Sequence, residues 1–154
     1  MANLNGTWNI DPVHSTLSLV VRHAMVTKVR GSFTDWNATV TVDGENLAQS
    51  RAEASIKVAS VDTRMADRDE HLRSADFFDV EQFPTMTFRS TEVRGAAEDF
   101  TVVGELTLHG VTQSVELDAE LGGQAVDAFG ATRVAFEAKG KISRKEFGLN
   151  WNAA

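Results

Sequence analysis

The sequence predicts an all-β domain, either a sandwich or a closed antiparallel barrel of about eight strands, with one short helix inserted between two strands. Apolar and polar residues alternate with a period of two along most of the chain, which is typical of half-buried strands. Turn signals separate these alternating runs at short intervals. One dense charged block, DRDEHLRSADFFD from Asp67 to Asp79, interrupts the alternation.

Each alternating run places its apolar residues on one face of a predicted strand. In chain order, these faces comprise Leu17, Leu19 and Val21; Ala52, Ala54, Ile56 and Val58; Val102, Gly104, Leu106 and Leu108; Val115, Leu117, Ala119 and Leu121; and Val134, Phe136, Ala138 and Ile142. Phe33 and Trp36 are three residues apart, which indicates a bulge or bend between them.

Turn residues predict where the strands end. Asp43-Gly44 is a strong hairpin signal. Weaker breaks are predicted at Arg94-Gly95, His109-Gly110, Gly122-Gly123 and Phe129-Gly130. Both prolines, Pro12 and Pro84, lie where a strand could begin, because proline cannot donate a hydrogen bond within a sheet.

The charged block favours a short helix from about Thr63 to Ala75, since these residues have good helix propensity and include no β-branched run. Thr63 or Asp62 would serve as its N-cap. Met65, Leu72 and Ala75 could form a narrow apolar stripe, while the charged side chains face water.

Composition limits the possible function classes. A chain of 154 residues predicts a single domain, residues 1–154, with its own core. The absence of cysteine excludes disulfides, thiolate catalysis and zinc–thiolate sites. A formal net charge of -7 argues against a nucleic-acid partner, because phosphate binding needs a basic face. No apolar run is long enough to span a membrane. The first residues show no secretory signal, so we expect a cytoplasmic protein, or a periplasmic or secreted one if a leader was removed.

The residues contain no specific catalytic or metal-binding motif. Asp67 and His71 would share a helix face, but no further ligand pair accompanies them, so a solvated helix face is favoured over a metal site. His14 and Ser15 are adjacent in a strand and would point to opposite faces, which does not suit a nucleophile and its base. We therefore predict no catalytic residue, no metal and no cofactor.

The apolar faces leave two interpretations open. Nine phenylalanines and three tryptophans could simply pack a core. A barrel of about eight strands could instead hold one small ligand. Small residues at inward positions would leave room for it, namely Ala52, Ala54, Ala119, Ala138, Gly104 and Gly140.

Five segments carry a more specific signal: WNIDPVHSTLSLVVRH, VRGSFTDWNATV, VASVDTRMADRDEHLRSADFFDVEQFPTMTFRST, VVGELTLHGVTQSVEL and GKISRKEFGLNW. The third contains a D-T pair, R-D-x-H-L, D-F-F-D and F-P-T-M-T-F in that order. Two shorter motifs support the same resemblance independently, namely L-T-L-H-G-V-T and S-R-K-E-F-G-L. With these segments the chain resembles the YceI-like family of lipocalin-like polyisoprenoid-binding proteins nearly from end to end.

The resemblance implies an extended eight-stranded antiparallel lipocalin-like barrel crossed by one short helix. It also implies that the interior binds, transports or stores a long-chain isoprenoid lipid, either a polyprenyl pyrophosphate or an isoprenoid quinone. Because no catalytic motif is found, we predict that the protein is not an enzyme. The lipid is then the expected partner, with no nucleic acid, no membrane span and a possible homodimer. Arg68 and Asp69 could form a buried pair in the helix.

We predict that one set of apolar side chains lines the interior. It comprises Leu17, Leu19, Val21, Phe33, Trp36, Ala54, Ile56, Val58, Leu72, Phe77, Phe78, Met86, Phe88, Leu106, Leu108, Phe136, Ala138, Ile142 and Phe147. Arg22, His23 and Arg144 are the predicted head-group contacts.

Two other functions remain open from the sequence. One is an enzyme acting on an apolar isoprenoid-like substrate, which would be favoured if His14, His23, His71 or His109 met a carboxylate inside the barrel. The other is a stress-related structural protein whose barrel is filled by side chains.

Overall fold

Strands dominate the part of the chain that the structure describes. The structure is a computed structural model, and it describes residues 4–23, 27–96 and 98–149, without the side chains of Arg22, His23 and Thr27. Its strands are β1 (Gly6–Asn9), β2 (Leu17–His23), β3 (Thr27–Phe33), β4 (Trp36–Val42), β5 (Arg51–Lys57), β6 (Val61–Asp62), β7 (Thr85–Ala96), β8 (Asp99–Leu108), β9 (Val111–Val126) and β10 (Thr132–Lys139). Helix α1 (Ala66–Arg73) lies between β6 and β7, and 3-10 turns occupy Leu47–Gln49, Val58–Ser60 and Arg144–Phe147.

The strands form two antiparallel sheets that continue into each other. The larger sheet has the order β1-β4-β5-β7-β8-β9-β10, and the smaller has the order β2-β3-β6. β3 bends at Thr34 and Asp35 and continues as β4, while β5 continues as β6 through the turn at 58–60. Two backbone hydrogen bonds carry the pairing across this bend, from Lys57 N to Asp35 O (2.9 Å) and from Thr34 N to Ser60 O (3.2 Å).

The ten described strands therefore make seven runs across the two sheets, because β1 and β2 both lie along the bent strand β3–β4, and β5–β6 lies along its other side. The runs follow one another in sequence order and curl into an antiparallel half-barrel. The all-β fold with one helix is confirmed, and the predicted bend between Phe33 and Trp36 is present. β1–β2 and β10 are the two edges, and no ladder joins these edges among the described residues.

Three of the predicted turns differ from the structure. The break predicted at Arg94-Gly95 lies inside β7, where both residues pair with β8. β9 continues through Gly122-Gly123 to Val126, because β10 pairs with it on both sides of the glycines. The glycines instead lie opposite a β-bulge between Val134 and Phe136. The β4–β5 connection is not a two-residue turn but runs from Asp43 to Ser50, since Asp43 Oδ1 accepts from Glu45 N (3.0 Å) and Asn46 N (3.1 Å).

The densest core lies at the end of the half-barrel where α1 packs. It consists of Phe33, Ile56, Val58, Val61, Phe78, Met86, Leu108, Phe147 and Leu149. The Phe33 and Phe78 rings meet edge to face, with their centroids 6.1 Å apart. Phe147 reaches this core from the last 3-10 turn, and His109 Nδ1 lies 3.1 Å from the Phe147 carbonyl oxygen.

The helix begins later than predicted, and the predicted N-cap is wrong. Met65 occupies the N-cap position without a side-chain hydrogen bond. Asp69 instead reaches back from the helix, and its Oδ1 accepts from the Thr63 backbone N (2.9 Å) and hydroxyl (2.5 Å). Arg68 Nε donates to the same hydroxyl oxygen at 2.7 Å. The predicted direct pair of Arg68 with Asp69 is therefore replaced by a bridge through Thr63, because the short hydroxyl fits between the two side chains.

Candidate ligand-binding cavity

A cavity of about 460 Å³ lies at the end of the half-barrel away from α1. Its apolar wall comprises Leu4, Val40, Val42, Leu47, Ala52, Val93, Ala96, Phe100, Val102, Leu121 and Phe136. Its polar and glycine contacts are Asn5, Asp43, Gly44, Glu45, Ser50, Arg51 and Gly95. The volume is within the usual range of small-molecule sites, which are mostly apolar with a few polar groups.

Strand alternation and register build the apolar wall. Val40 is opposite Ala52 in the β4–β5 pair, and Val93 is opposite Val102 in the β7–β8 pair. Side chains two apart on a strand share a face, so these residues continue the inward faces of the core strands. Ala52 has the smallest side chain of these four residues, and a larger side chain at this position would occupy part of the cavity.

Two phenylalanines form the side of the cavity near the β10 edge. Phe100 on β8 and Phe136 on β10 meet edge to face, with ring centroids 6.4 Å apart. Phe136 remains 40% exposed because β10 has no further strand beside it among the described residues. An aromatic pair at an open edge gives a ligand both an apolar contact and a route to solvent.

The boundary between the cavity and the filled core lies at Phe88 and Gly104. A Cβ atom on Gly104 would lie only 2.5 Å from Phe88 Cζ, so the ring rests directly on the glycine. Gly104 is the next inward position after Val102 of the cavity wall, and Leu106 beyond it packs against the core. The Phe88 ring therefore separates the open end from the packed end.

Six residues form a polar rim: Asn5, Asp43, Gly44, Glu45, Ser50 and Arg51. The rim adjoins a more open depression of about 500 Å³ that shares Asn5, Val42, Asp43, Glu45 and Arg51 with the cavity. A ligand with an apolar tail in the cavity would thus present its polar end to this rim.

Of the nineteen predicted lining residues, Phe136 alone is among the described residues that contact the cavity, and most of the others belong to the core or pack against it. Phe33, Ile56, Val58, Phe78, Met86, Leu108 and Phe147 are core residues, and Leu17, Leu19, Trp36, Ala54, Leu72 and Leu106 pack against them. Phe136 contacts the cavity, whereas Val21, Ala138 and Ile142 are exposed. Phe77 is half-buried against the His71 ring, with centroids 5.6 Å apart.

The predicted head-group residues are not among those lining the cavity. The side chains of Arg22 and His23 lie outside the described part of the chain. Arg144 begins the last 3-10 turn, which packs at the α1 end. The rim residues were missed, although the polar run DGEN at 43–46 after an alternating strand was a signal that a turn crosses one barrel end.

The histidines with described side chains stay apart. His14 Nδ1 lies 2.6 Å from Asp11 Oδ2 at the surface, and His71 Nε2 lies 3.0 Å from Asp76 Oδ2 beside the helix. None of the cavity contacts is a histidine. Within the described ranges, no three His, Asp or Glu side chains are grouped to hold a metal ion. No described helix has the length and apolar character needed to cross a membrane.

The YceI-like domain family model matches residues 8–154. A UPF0312 protein of Photorhabdus laumondii is 42% identical over 139 residues, which cover 90% of this chain and 72% of that protein. Protein YceI of Escherichia coli O17:K52:H18 is 41% identical over 136 residues, covering 88% of this chain and 71% of that protein.

Solved structures share the same fold. BcnA of Burkholderia cenocepacia has a TM-score of 0.82 at 25% identity, covering 93% of this chain and 86% of that one. A YCEI protein of Campylobacter jejuni has a TM-score of 0.73 at 33% identity, covering 90% and 82%. A polyisoprenoid-binding domain from Saccharophagus degradans has a TM-score of 0.60 at 16% identity, covering 87% and 76%, which shows likeness of fold alone. The lipocalin-like fold class is confirmed.

Proposed function

Because the chain belongs to the YceI-like family, we propose that it binds an isoprenoid lipid in the cavity and acts as a non-catalytic carrier or store of that lipid. The supporting observation is a cavity of about 460 Å³ with an apolar wall and a polar rim at one end. The Saccharophagus degradans domain of the same fold is named for binding polyisoprenoids, which is consistent with this ligand class.

Burial of the lipid chain would supply the binding energy. At about 25 cal/mol per Å² of apolar area, a contact of a few hundred Å² contributes several kcal/mol. Ordering a flexible chain offsets part of this gain. Such a balance suits a carrier, which must release its ligand as well as bind it.

The filled core limits how much of a long chain the cavity can take. The Phe88 ring and the core beyond it occupy the α1 end. We infer that one end of the isoprenoid enters the cavity, while further units extend past the rim or enter only when Phe88 moves.

Native mass spectrometry of the protein purified from its own host, followed by organic extraction, tests the proposal. We expect one isoprenoid per chain to be recovered. Incubating the extracted lipid with fresh protein should return it chemically unchanged. Conversion of the lipid would favour the enzyme instead, and absence of any isoprenoid would contradict the proposal.

Substitution inside the cavity separates a binding site from a structural void. Ala52→Trp should fill the cavity and abolish binding of an added prenyl alcohol, while the fold is retained, as measured by circular dichroism. Ala59→Trp is the matched control, since Ala59 is exposed on the turn at 58–60 near the other end. Equal binding by both variants would show that the lipid sits elsewhere.

A further inference from the structure

The polar rim of the cavity is poorly suited to a phosphate group. Phosphate sites in proteins are built from clustered arginines or lysines, or from backbone N–H groups that point at the anion. The side chains and the backbone of the rim show whether it has free N–H donors or clustered cations.

The backbone donors of the β4–β5 connection at the rim are already used. Asp43 N donates to Ser50 Oγ at 3.0 Å, and Gly44 N donates to Asn5 Oδ1. Glu45 N and Asn46 N both donate to Asp43 Oδ1. Four consecutive N–H groups of the connection therefore bind protein acceptors, and none of them is left to hold an anion.

The charges of the rim also oppose an anion. Asp43 and Glu45 bring two carboxylates, whereas Arg51 brings the one cation among the described side chains of the rim. Glu45 and Arg51 form no ion pair with any described residue. The net negative rim repels a diphosphate, while Arg51 can still donate to a hydroxyl or carbonyl oxygen and Glu45 can accept from a hydroxyl.

We propose that the cavity selects isoprenoids with an uncharged polar head, such as a prenyl alcohol, over the corresponding diphosphates. This inference rests on the proposed function, since it concerns the head group of the lipid held in the same cavity. The apolar tail occupies the wall formed by Val40, Ala52 and Val102, and the hydroxyl lies at the polar rim.

A matched pair of probes tests the selectivity. Geranylgeraniol and geranylgeranyl diphosphate share one tail and differ only in the head group. Isothermal titration calorimetry below their aggregation concentrations should give an affinity for the diphosphate about tenfold weaker than for the alcohol. Added salt should narrow this difference, because the rim charges are exposed to solvent and are screened.

Variants that remove one charge from the rim test whether Glu45 and Arg51 cause the selectivity against the diphosphate. Glu45→Gln should strengthen diphosphate binding and Arg51→Gln should weaken it further, so the ratio of diphosphate to alcohol affinity should shift in opposite directions in the two variants. Glu53→Gln is the control, because it removes an equal charge from the exposed outer face of the same sheet. It should leave both affinities unchanged.

The outcomes distinguish the two proposals. Tighter alcohol binding that responds to Glu45→Gln supports the selectivity. Equal or tighter diphosphate binding overturns it while leaving the lipid carrier intact. Failure of both compounds to bind overturns the selectivity and the carrier together.

Discussion

Gly104 cannot be replaced by a larger residue without a shift in the structure, because the Phe88 ring occupies the space where a side chain would be. The Cβ position lies 2.5 Å from Phe88 Cζ and 2.7 Å from the Arg89 carbonyl oxygen. The glycine is therefore required by close approach of two strands and a ring, and its position divides the interior into a filled part and an open part.

Gly104→Ala should destabilise the protein by about 1–3 kcal/mol, because the added methyl group overpacks the site. Urea denaturation measures the free energy of unfolding. Gly123→Ala is the control, since a Cβ there meets no atom within 4 Å, and it should change stability by less than about 0.5 kcal/mol. Combining Gly104→Ala with Phe88→Leu should cost less than the sum of the two single changes, whereas strict additivity would show that the ring is not what the methyl group meets.

Two elements depend on aspartates that bind backbone or hydroxyl groups. Asp69 of α1 is 6% exposed and holds the segment that enters the helix through Thr63. The β9–β10 hairpin is held at its tip by Asp127, which accepts from the backbone N atoms of Phe129 and Ala131. In both elements a carboxylate satisfies donors that no ladder reaches.

Asp69→Ala should cost about 1–3 kcal/mol of unfolding free energy, because the Thr63 N–H and hydroxyl would lose their acceptor in a buried site. Asp67→Ala, on the exposed side of the same helix, should cost less than about 1 kcal/mol. Denaturant midpoints of the two variants give the comparison. Equal losses would indicate that helix propensity, and not the buried acceptor, controls this element.

An ionic strap connects the two edges of the half-barrel. Arg133 on β10 donates to Asp127 Oδ2 at 2.8 Å and to Asp11 Oδ2 in the β1–β2 connection. The hydrogen bond with His14, then the Val13 N–H and the Arg133 charge, hold the pKa of Asp11 below its ordinary 3.8. The Ala131 and Phe129 N–H groups, followed by Arg133, lower the pKa of Asp127 in the same way.

The ion pairs of Arg133 with Asp11 and Asp127 should stop stabilising the fold in acid. A lowered pKa in the folded state means that each carboxylate stabilises the fold above its unfolded value of 3.8, and that this stability disappears as the pH falls through the folded pKa. Arg133→Gln should therefore lower the melting temperature at pH 7 and have less effect below pH 3.8. Arg30→Gln, an exposed β3 residue without a described ion pair, should show no such pH dependence. An effect of Arg133→Gln that persists unchanged in acid would exclude the strap as its cause.

The whole molecule has a filled end and an open end. The α1 end contains the core of Phe33, Phe78 and Phe147, while the other end contains the cavity and the polar rim. Densely packed regions unfold locally less readily than loosely packed ones. The filled end should therefore have the higher free energy of local unfolding.

Hydrogen exchange should resolve this difference. Amides of β5 and β7 next to Ile56 and Met86 should exchange more slowly than amides of Val40, Val42 and Val93 at the cavity. Adding a prenyl alcohol should slow exchange chiefly at the cavity, because ligand binding favours the closed state. Uniform protection that does not change with ligand would contradict both the two-ended interior and the binding site.

Local pattern was sufficient for the strand content, the helix and most of the core. Period-two alternation places Ala52, Ala54 and Ile56 on one face whatever the rest of the chain does. The single charged block predicts one helix for a similar reason, since propensity and spacing act within a few residues. The family resemblance came from segments that are themselves local, such as the one leading from Thr63 to Phe88.

The location of the empty space could not be read from those patterns. Alternation predicts that Ala54 and Ala52 both point inward, but not that core side chains pack against the first while the second borders a cavity. Whether core or cavity lies beside each alanine depends on which side chains of β4, β7, β8 and β10 lie opposite it. It also depends on the Phe88 ring, which rests on Gly104, sixteen residues away along the chain. The rim depends in the same way on Asn5 meeting Gly44 across the sheet. Such long-range contacts are products of register and curvature, so the interior surface was predictable from the sequence while its division into core and cavity was not.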